Sequence, residues 1–272
     1  MLLRRATAAL PPGERRWERP PTSEAEIDRI LRRLVQQGEL KPIAGAPALF
    51  LVASPFAQQG AVTEDEILME AHPFAALSHL SALVFHGLTD LVPNEIHATI
   101  SERADELPLG TDTSDWAGLP LTRGRPIATI RDMPVRWHRL RRGSGSTGTA
   151  IFQPRGYPVR VTDPEMTLLD GLLHPEWSGG FDNVLRAWRA AADTLDLDRL
   201  FEHVDAVDVG ILRQRTGWIL EELEISDPRL DEWAARAVRG GSSRLVGAAP
   251  FSSQFNERWK ISLNAPTEAL RS

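Results

Sequence analysis

Apolar and polar positions follow a helical period over residues 23–38, and this segment predicts the clearest helix in the N-terminal part of the chain. Ser23 and Glu26 have the spacing of a capping box, and Gly38 stands where a left-handed C-terminal cap belongs. One face of the helix is apolar: Ile27, Ile30, Leu31, Leu34 and Val35. The opposite face carries the candidate DNA-binding residues: Arg29, Arg32, Arg33, Gln36 and Gln37.

Two short strand-like runs follow this helix at residues 39–43 and 48–52, joined by a turn. A helix followed at once by a hairpin is typical of a winged helix-turn-helix, in which the helix enters the major groove of DNA. Such a module has two more helices upstream. Residues 2–10 predict one, and the surrounding prolines leave room only for a broken second helix near residues 13–19. The alternative is an ordinary amphipathic helix with a solvated basic face.

The pattern changes after residue 57, where we predict a domain boundary. Two short helices are predicted, one opened by a T-x-x-E cap at Thr63 and one at residues 78–86. Strand-like segments dominate residues 95–161, helices dominate 162–240, and a last strand is predicted at 258–263. The sequence therefore predicts an α+β fold with an N-terminal winged helix-turn-helix, residues 1–57, and a larger C-terminal mixed α/β domain, residues 58–272.

Composition narrows the class of protein without naming a function. The chain has 272 residues, of which 42% are hydrophobic and 25% charged, as expected of a globular protein. The absence of cysteine excludes disulfides, zinc ribbons, iron–sulfur clusters and a cysteine nucleophile. No run approaches the roughly 20 apolar residues of a membrane helix, and the N-terminus is too short and basic for a signal peptide. We therefore expect a soluble, cytoplasmic protein with no membrane partner.

The formal net charge of −6 hides a strongly uneven distribution. Residues 1–60 carry +3 and residues 121–160 carry +8, whereas residues 61–120 carry −10 and residues 161–272 carry −7. An acidic protein with such clustering can still present a cationic surface to nucleic acid. Nearly all of the basic residues are arginine, which suits bidentate phosphate and guanine contacts, although a GC-rich coding sequence explains that bias equally simply.

The arginines of residues 121–160 admit two interpretations. Four of them lie on or directly after the strand predicted at residues 135–140: Arg136, Arg139, Arg141 and Arg142. They form either a second surface that contacts DNA phosphates or an internal surface that meets the acidic segment 61–120 or the acidic helices. The sequence weighs these two alternatives equally.

Signatures of catalysis are scarce. The chain has no phosphate-binding loop, no dinucleotide fingerprint, no H-E-x-x-H and no G-x-S-x-G. His79, His86 and His138 are interpreted as packing or surface histidines. Residues 163–170 crowd three carboxylates, as in a metal-dependent nuclease, but their spacing is that of a helix start, where acidic residues are favoured. We predict no catalytic residue, no metal and no cofactor.

Four segments together resemble the AbiEi antitoxins of type IV toxin–antitoxin systems. They are LFLV at 49–52, LSHLSALVFHGLTD at 77–90 with VPN at 92–94, VTDPEMTLLD at 161–170 with Gly179-Gly180, and 213–223 with the closing WKISLN at 259–264. The second and third segments are the specific ones. Met166 departs from the pattern, since the family usually has a basic residue there. The resemblance spans residues 23 to 264, about nine-tenths of the chain.

The resemblance implies a DNA-binding repressor of its own toxin–antitoxin operon, with double-stranded operator DNA as partner. It also implies a functional partner, a nucleotidyltransferase-like toxin, which the C-terminal domain counteracts without a stable complex. A transcription regulator without a toxin remains the alternative, and a metal-dependent nuclease is a third. Most family motifs consist of capped helices and glycine turns, so we interpret them as structural and place the functional residues on the basic surfaces.

Overall fold

The structure of the chain is a computed structural model that describes residues 11, 23–46, 49–53, 62–100, 107, 109, 111–112, 125–138 and 148–271. The chain divides into two compact units. Unit 1 comprises Met1–Phe74, Glu102–Pro134 and Gly156–Pro158, and unit 2 comprises Ala75–Ser101, Val135–Arg155 and Val159–Ser272. The upstream helices predicted near residues 2–10 and 13–19 lie outside the described residues, as does the boundary predicted after residue 57.

The first helix of unit 1, α1 (Glu24–Gln36), begins and ends where its sequence predicts. The Ser23 hydroxyl accepts a hydrogen bond from the Glu26 backbone N–H, and the Glu26 carboxylate accepts one from the Ser23 N–H. Gly38 adopts a φ of +72°, and the N–H groups of Gly38 and Glu39 donate to carbonyls of the last turn. These bonds form the C-terminal cap that glycine favours. The predicted capping box and glycine stop are both confirmed.

An antiparallel hairpin follows α1, with β1 (Leu40–Pro42) paired to β2 (Phe50–Val52). The helix α2 (Glu64–Ala71) comes next and carries the predicted capping box between Thr63 and Glu66. The short strand β5 (Thr129–Ile130) pairs with Met133 and Pro134, the first residues of β6 (Met133–His138), which continues into unit 2. The described part of unit 1 therefore consists of two helices, one hairpin and the strand pair of β5 with the start of β6.

Unit 2 contains a mixed sheet whose strands run in the order β6–β4–β3–β8–β7. Its other strands are β3 (Ala75–Leu77), β4 (Ile96–Ile100), β7 (Thr149–Phe152) and β8 (Val159–Thr162). β3 pairs antiparallel with β4 and parallel with β8, and β4 pairs parallel with β6. The strand β3 was not predicted, yet it lies at the centre of the sheet with all three of its residues buried.

Helices supply most of the core of unit 2. They are α3 (His79–Phe85), α4 (Pro164–Leu173), α5 (Phe181–Ala191), α6 (Leu197–Val207), α7 (Gly210–Glu222) and α8 (Arg229–Ala235), with a 3-10 turn at Pro175–Trp177. α4 is buried along almost its whole length. The sequence predicts an apolar face of four leucines on this helix, of which Leu168, Leu169 and Leu172 are buried and Leu173 is half-buried. Burial of this kind on all sides marks a central helix around which the others pack.

The C-terminal segment closes this helical core. The short strands β9 (Phe255–Asn256) and β10 (Ile261–Ser262) pair antiparallel, and the latter falls within the strand predicted at residues 258–263. Trp259 is fully buried against α7, where a Cβ added to Gly217 would come within 2.1 Å of the indole ring. The chain is an α+β protein, as the sequence predicts. None of the helices in its described part is both long and apolar enough to cross a membrane.

Candidate nucleic-acid interface

The polar face of α1 is a solvated stripe of arginine and glutamine. The five predicted DNA-binding residues of this segment are all exposed: Arg29, Arg32, Arg33, Gln36 and Gln37. Arg32 donates from Nε to the carbonyl oxygen of Asp28, 3.2 Å away. Among the described residues, no carboxylate pairs with any of the three guanidinium groups, and all three side chains are exposed.

The hairpin extends the same surface. The cap at Gly38 leads directly from α1 into β1, where Lys41 is exposed and faces Leu51 across the pair. At the end of β2 the side chain of Val52 is 58% exposed. A glycine at this turn fixes the angle between helix and hairpin, because the left-handed conformation is strained for other residues. The hairpin therefore follows α1 directly, with Lys41 and Val52 exposed on it.

The second predicted surface is only partly described. Arg136 lies on β6 and donates from Nε to Oε1 of Glu95 at 2.8 Å, while 53% of its side chain remains exposed. This hydrogen bond is the main reason that the pKa of Glu95 is lowered. Within unit 1, Arg131 pairs with Glu64 in the same way. Both carboxylates belong to the acidic segment 61–120, so the internal interpretation accounts for these two arginines. Arg139, Arg141 and Arg142 lie outside the described residues.

The acidic segment at the start of α4 has structural partners. Asp163 caps the helix by accepting from the Met166 N–H at 2.8 Å, and its carboxylate also accepts from Arg199 and His203. Glu165 accepts from the backbone N–H of Asp196 at 3.0 Å. These contacts join α4 to α6, so both carboxylates serve the packing of two helices. Among the described residues, no group of histidine and carboxylate side chains is arranged to hold a metal ion.

A cluster of histidines in unit 2 is the feature that sequence reasoning missed. His97 on β4 and His138 on β6 project from the same face of the sheet, and His97 Nδ1 lies 2.9 Å from His138 Nε2. Their ring planes are within 6° and their centroids 5.2 Å apart, so the imidazoles meet edge to edge through one hydrogen bond. On its other side, His97 Nε2 lies 3.4 Å from the Glu95 carboxylate. A line of contacts therefore runs from the Glu95 carboxylate through the His97 ring to the His138 ring.

Aromatic rings cover this pair. The ring centroid of Trp177 lies 4.2 Å from that of His138 and 3.9 Å from that of His174, on which Trp177 stacks. The ring centroid of His79 lies 4.3 Å from that of His138. Burial lowers the pKa of His97, and burial together with the neighbouring positive charges lowers that of His138 to about 4. Both rings are therefore neutral near pH 7. The interpretation of His79 and His138 as packing residues was incomplete, since it missed that they share one cluster.

The spacing of these histidines carried a weak signal. His97 lies between Ile96 and Ala98, and His138 directly follows Trp137, so strand alternation predicts that each histidine points away from these apolar neighbours. His79 adopts a φ of +50° at the start of α3, a conformation that is strained for a residue other than glycine. His97 and His138 meet because β4 pairs parallel with β6, and no pattern within either segment predicts that pairing.

Comparison with known proteins relates this chain to others through its fold. Searches against protein-family profiles and against curated proteins find no match. Among solved structures, three chains match. One is the RV2827C protein from Mycobacterium tuberculosis, at 15% sequence identity with a TM-score of 0.54, and the match covers 86% of this chain and 78% of that one. The likeness shows a shared fold.

Proposed function

We propose that this chain is a DNA-binding antitoxin that represses its own type IV toxin–antitoxin operon. The observation that carries the DNA-binding part is the exposed arginine–glutamine face of α1, which leads through Gly38 into the β1–β2 hairpin. We interpret helix and hairpin as the DNA-contacting half of a winged helix-turn-helix. The four segments that resemble AbiEi antitoxins support the wider assignment.

The chemistry of the face suits a duplex. Residues at positions 29, 32, 33 and 36 lie three and four apart, so their side chains share one side of the helix. Arginine binds phosphate oxygens or guanine in a forked geometry, and glutamine reads adenine through its amide. Arg29, Arg32 and Arg33 would supply most of the affinity, and Gln36 and Gln37 would contribute to sequence preference.

Binding to the upstream operator across a salt series tests the DNA-contacting surface. Replacing Arg29, Arg32 and Arg33 together by alanine should weaken binding. The slope of log affinity against log salt should become shallower by about 0.9 for each phosphate that the variant no longer neutralises. A matched control replaces three exposed arginines of unit 2, Arg186, Arg189 and Arg236, by alanine, which changes the net charge equally. The control should keep the affinity of the parent, and its salt slope should differ by less than about 0.9.

Two results would contradict this surface. Unchanged operator binding in the α1 variant would remove the helix from the interface and direct attention to residues 136–142. Equally weakened binding in the α1 variant and in the control would mean that net charge alone drives association. Magnesium-dependent cleavage of the same DNA, abolished by Asp163→Asn, would instead favour the nuclease alternative.

The antitoxin part is tested separately from DNA binding. The gene beside this one should encode a nucleotidyltransferase-like protein, and expression of that neighbour alone should arrest growth. Co-expression of this chain should restore growth, including in the variant with alanine at Arg29, Arg32 and Arg33, because we assign neutralisation to the C-terminal domain. A neighbour of another class, with operator binding intact, would favour the stand-alone regulator.

A further inference from the structure

In unit 2, the side chain of Arg215 bonds to the backbone of Arg244, although 29 positions separate the two arginines in the chain. Arg215, on α7, is only 5% exposed, and its Nε donates to the backbone carbonyl of Arg244 at 3.0 Å. Its Nη1 donates to the carbonyl of Leu172, in the last turn of α4, at 2.6 Å. The carbonyl end of a helix carries partial negative charge, so α4 compensates part of the charge of Arg215.

Arg244 lies in the loop that follows α8 and is half-buried. Its Nη1 donates to the carbonyl of Ala249 at 3.0 Å, and its guanidinium carbon lies 5.1 Å from the centre of the Phe251 ring. The Nε atom of Arg244 is buried and has no hydrogen-bond partner among the described residues. The Phe251 ring is 55% exposed, so the surface beside Arg244 is open.

Among the described residues, no carboxylate pairs with either guanidinium. This distinguishes the two from other arginines of the same unit, since Arg199, Arg213 and Arg229 each pair with aspartate. Burial lowers the pKa of Arg215 to about 10, and the nearby charge of Arg244 acts in the same direction. Arg215 is still a cation at neutral pH. Buried charges are normally paired, and two like charges placed together repel each other.

The loop that carries Arg244 is held in place before any ligand arrives. The side chain of Asn264 donates to the carbonyls of Val246, Ala249 and Pro250, and its oxygen accepts from the Val246 N–H at 2.9 Å. A Cβ added to Gly247 would lie 3.4 Å from Nη2 of Arg215, so this turn borders the buried guanidinium. A site that is already ordered spends little of its binding free energy on ordering.

We propose that Arg215 and Arg244 form a binding site for the phosphoryl group of a small molecule. Each guanidinium carries five N–H donors, of which Arg215 uses two and Arg244 uses one in bonds to described residues. Among the donors that remain, Nε of Arg244 has no partner in the described residues and Nη2 of Arg215 lies beside Gly247. The three oxygens of a phosphoryl group can accept more of these hydrogen bonds than the two of a carboxylate. The anion would also supply the negative charge that the pair lacks. This site lies in unit 2 and does not depend on the proposed DNA contact.

Calorimetric titration of the full chain with inorganic phosphate tests the site, at an ionic strength kept constant with sodium chloride. Phosphate should bind, and it should raise the melting temperature relative to chloride, because a ligand of the folded state stabilises it. Arg244→Gln should weaken phosphate binding at least about tenfold, the effect expected for one charge-assisted hydrogen bond. Arg215→Gln should do the same. Arg186→Gln removes an equal charge from the surface of α5 and should bind phosphate as the parent does.

A second ligand, ribose 5-phosphate, distinguishes a phosphomonoester from free phosphate as the occupant of the site. Tighter binding of ribose 5-phosphate than of phosphate identifies a phosphomonoester as the occupant, and equal binding identifies free phosphate. If Arg215→Gln does not fold, Arg244→Gln decides, because its side chain lies in a surface loop. The proposal is overturned if phosphate and chloride give the same melting temperature with no calorimetric signal. It is also overturned if Arg244→Gln binds phosphate as tightly as Arg186→Gln does. Arg215 then serves only as a cap for α4.

Discussion

Asp163 offers the sharpest test of how unit 2 is held together. Its side chain is 2% exposed, accepts from the Met166 N–H, and is bonded by His203 at 2.9 Å and by Arg199 at 3.0 Å. Burial alone would raise the pKa of this carboxyl. The hydrogen bonds from His203 and from the Met166 N–H, together with the positive charges nearby, outweigh burial and lower the pKa. The ionised form is therefore the one that the fold stabilises.

Replacing Asp163 by asparagine keeps an oxygen that can cap α4 and removes the negative charge. A hydrogen bond to a charged group contributes about 1.5–3 kcal/mol, and the bond to buried His203 should lie in that range. Arg199 is 44% exposed, so its contribution should be under about 1 kcal/mol. We expect Asp163→Asn to lower the free energy of unfolding by about 2–3 kcal/mol. Asp163→Ala should cost about 1 kcal/mol more, because it also removes the cap.

Urea unfolding of the full chain at pH 7, followed by far-ultraviolet circular dichroism, measures these changes as shifts in the midpoint at constant slope. Asp182 provides the matched control, since it pairs with Arg186 at the surface and both side chains are about two-thirds exposed. Asp182→Asn should change the free energy of unfolding by less than about 0.5 kcal/mol. A decrease below about 0.5 kcal/mol for Asp163→Ala would refute the assignment of Asp163 as the link between α4 and α6.

The lowered pKa of Asp163 also fixes the sign of an acid effect. The unfolded chain protonates this carboxyl at a higher pH than the folded chain does. Its contribution is therefore complete above the ordinary carboxyl pKa and is lost as the pH falls through the folded value. Asp163→Asn should remove this part of the acid sensitivity while leaving that of the histidine cluster in place.

Two further predictions concern packing and pH in unit 2. Gly217→Ala should lower the free energy of unfolding by about 1–3 kcal/mol, because its Cβ would collide with Trp259. Gly210→Ala is the control and should leave the free energy of unfolding unchanged, since its Cβ would enter open space. Equal stability of the two variants in urea would contradict this packing. In the folded chain the pKa of His138 is about 4, against an ordinary value of 6.5. As the pH falls, the unfolded chain is therefore protonated at this residue before the folded chain is. The free energy of unfolding should decrease between pH 6.5 and pH 4, by at most about 3 kcal/mol. His138→Gln should flatten that dependence, and an unchanged pH profile would remove His138 from the titrating cluster.

Local signals predicted helices better than strands. The caps at Ser23 and Thr63 and the helix start at residue 163 are predicted from residues three positions apart or fewer, and each forms as predicted. The strand β3 was missed because Ala75–Leu77 is short, has no alternation, and contains residues that favour helices as readily as strands. Its conformation is fixed by hydrogen bonds to β4 on one side and β8 on the other.

The candidate sites also differ in whether they lie on one element or join several. The exposed face of α1 was predicted from periodicity, because one helix determines which side chains share a side. The sequence alone does not decide whether Arg136 contacts DNA or an internal carboxylate, and in the structure the Glu95 carboxylate pairs with it. The histidine cluster and the pair formed by Arg215 and Arg244 were not predicted, since each joins residues from different elements.

The sequence by itself determined the ends of the capped helices and the amphipathic character of α1, because each depends on residues within about four positions of one another. The order of the predicted helices and strands along the chain determined the α+β class. Tertiary structure alone decided which charges are neutralised within the chain and which are not. His97 meets His138 across 41 positions and Arg215 meets Arg244 across 29, and both contacts arise from packing between elements. Charge and hydrogen bonding act over a few ångströms of space, whereas sequence patterns record only neighbours along the chain.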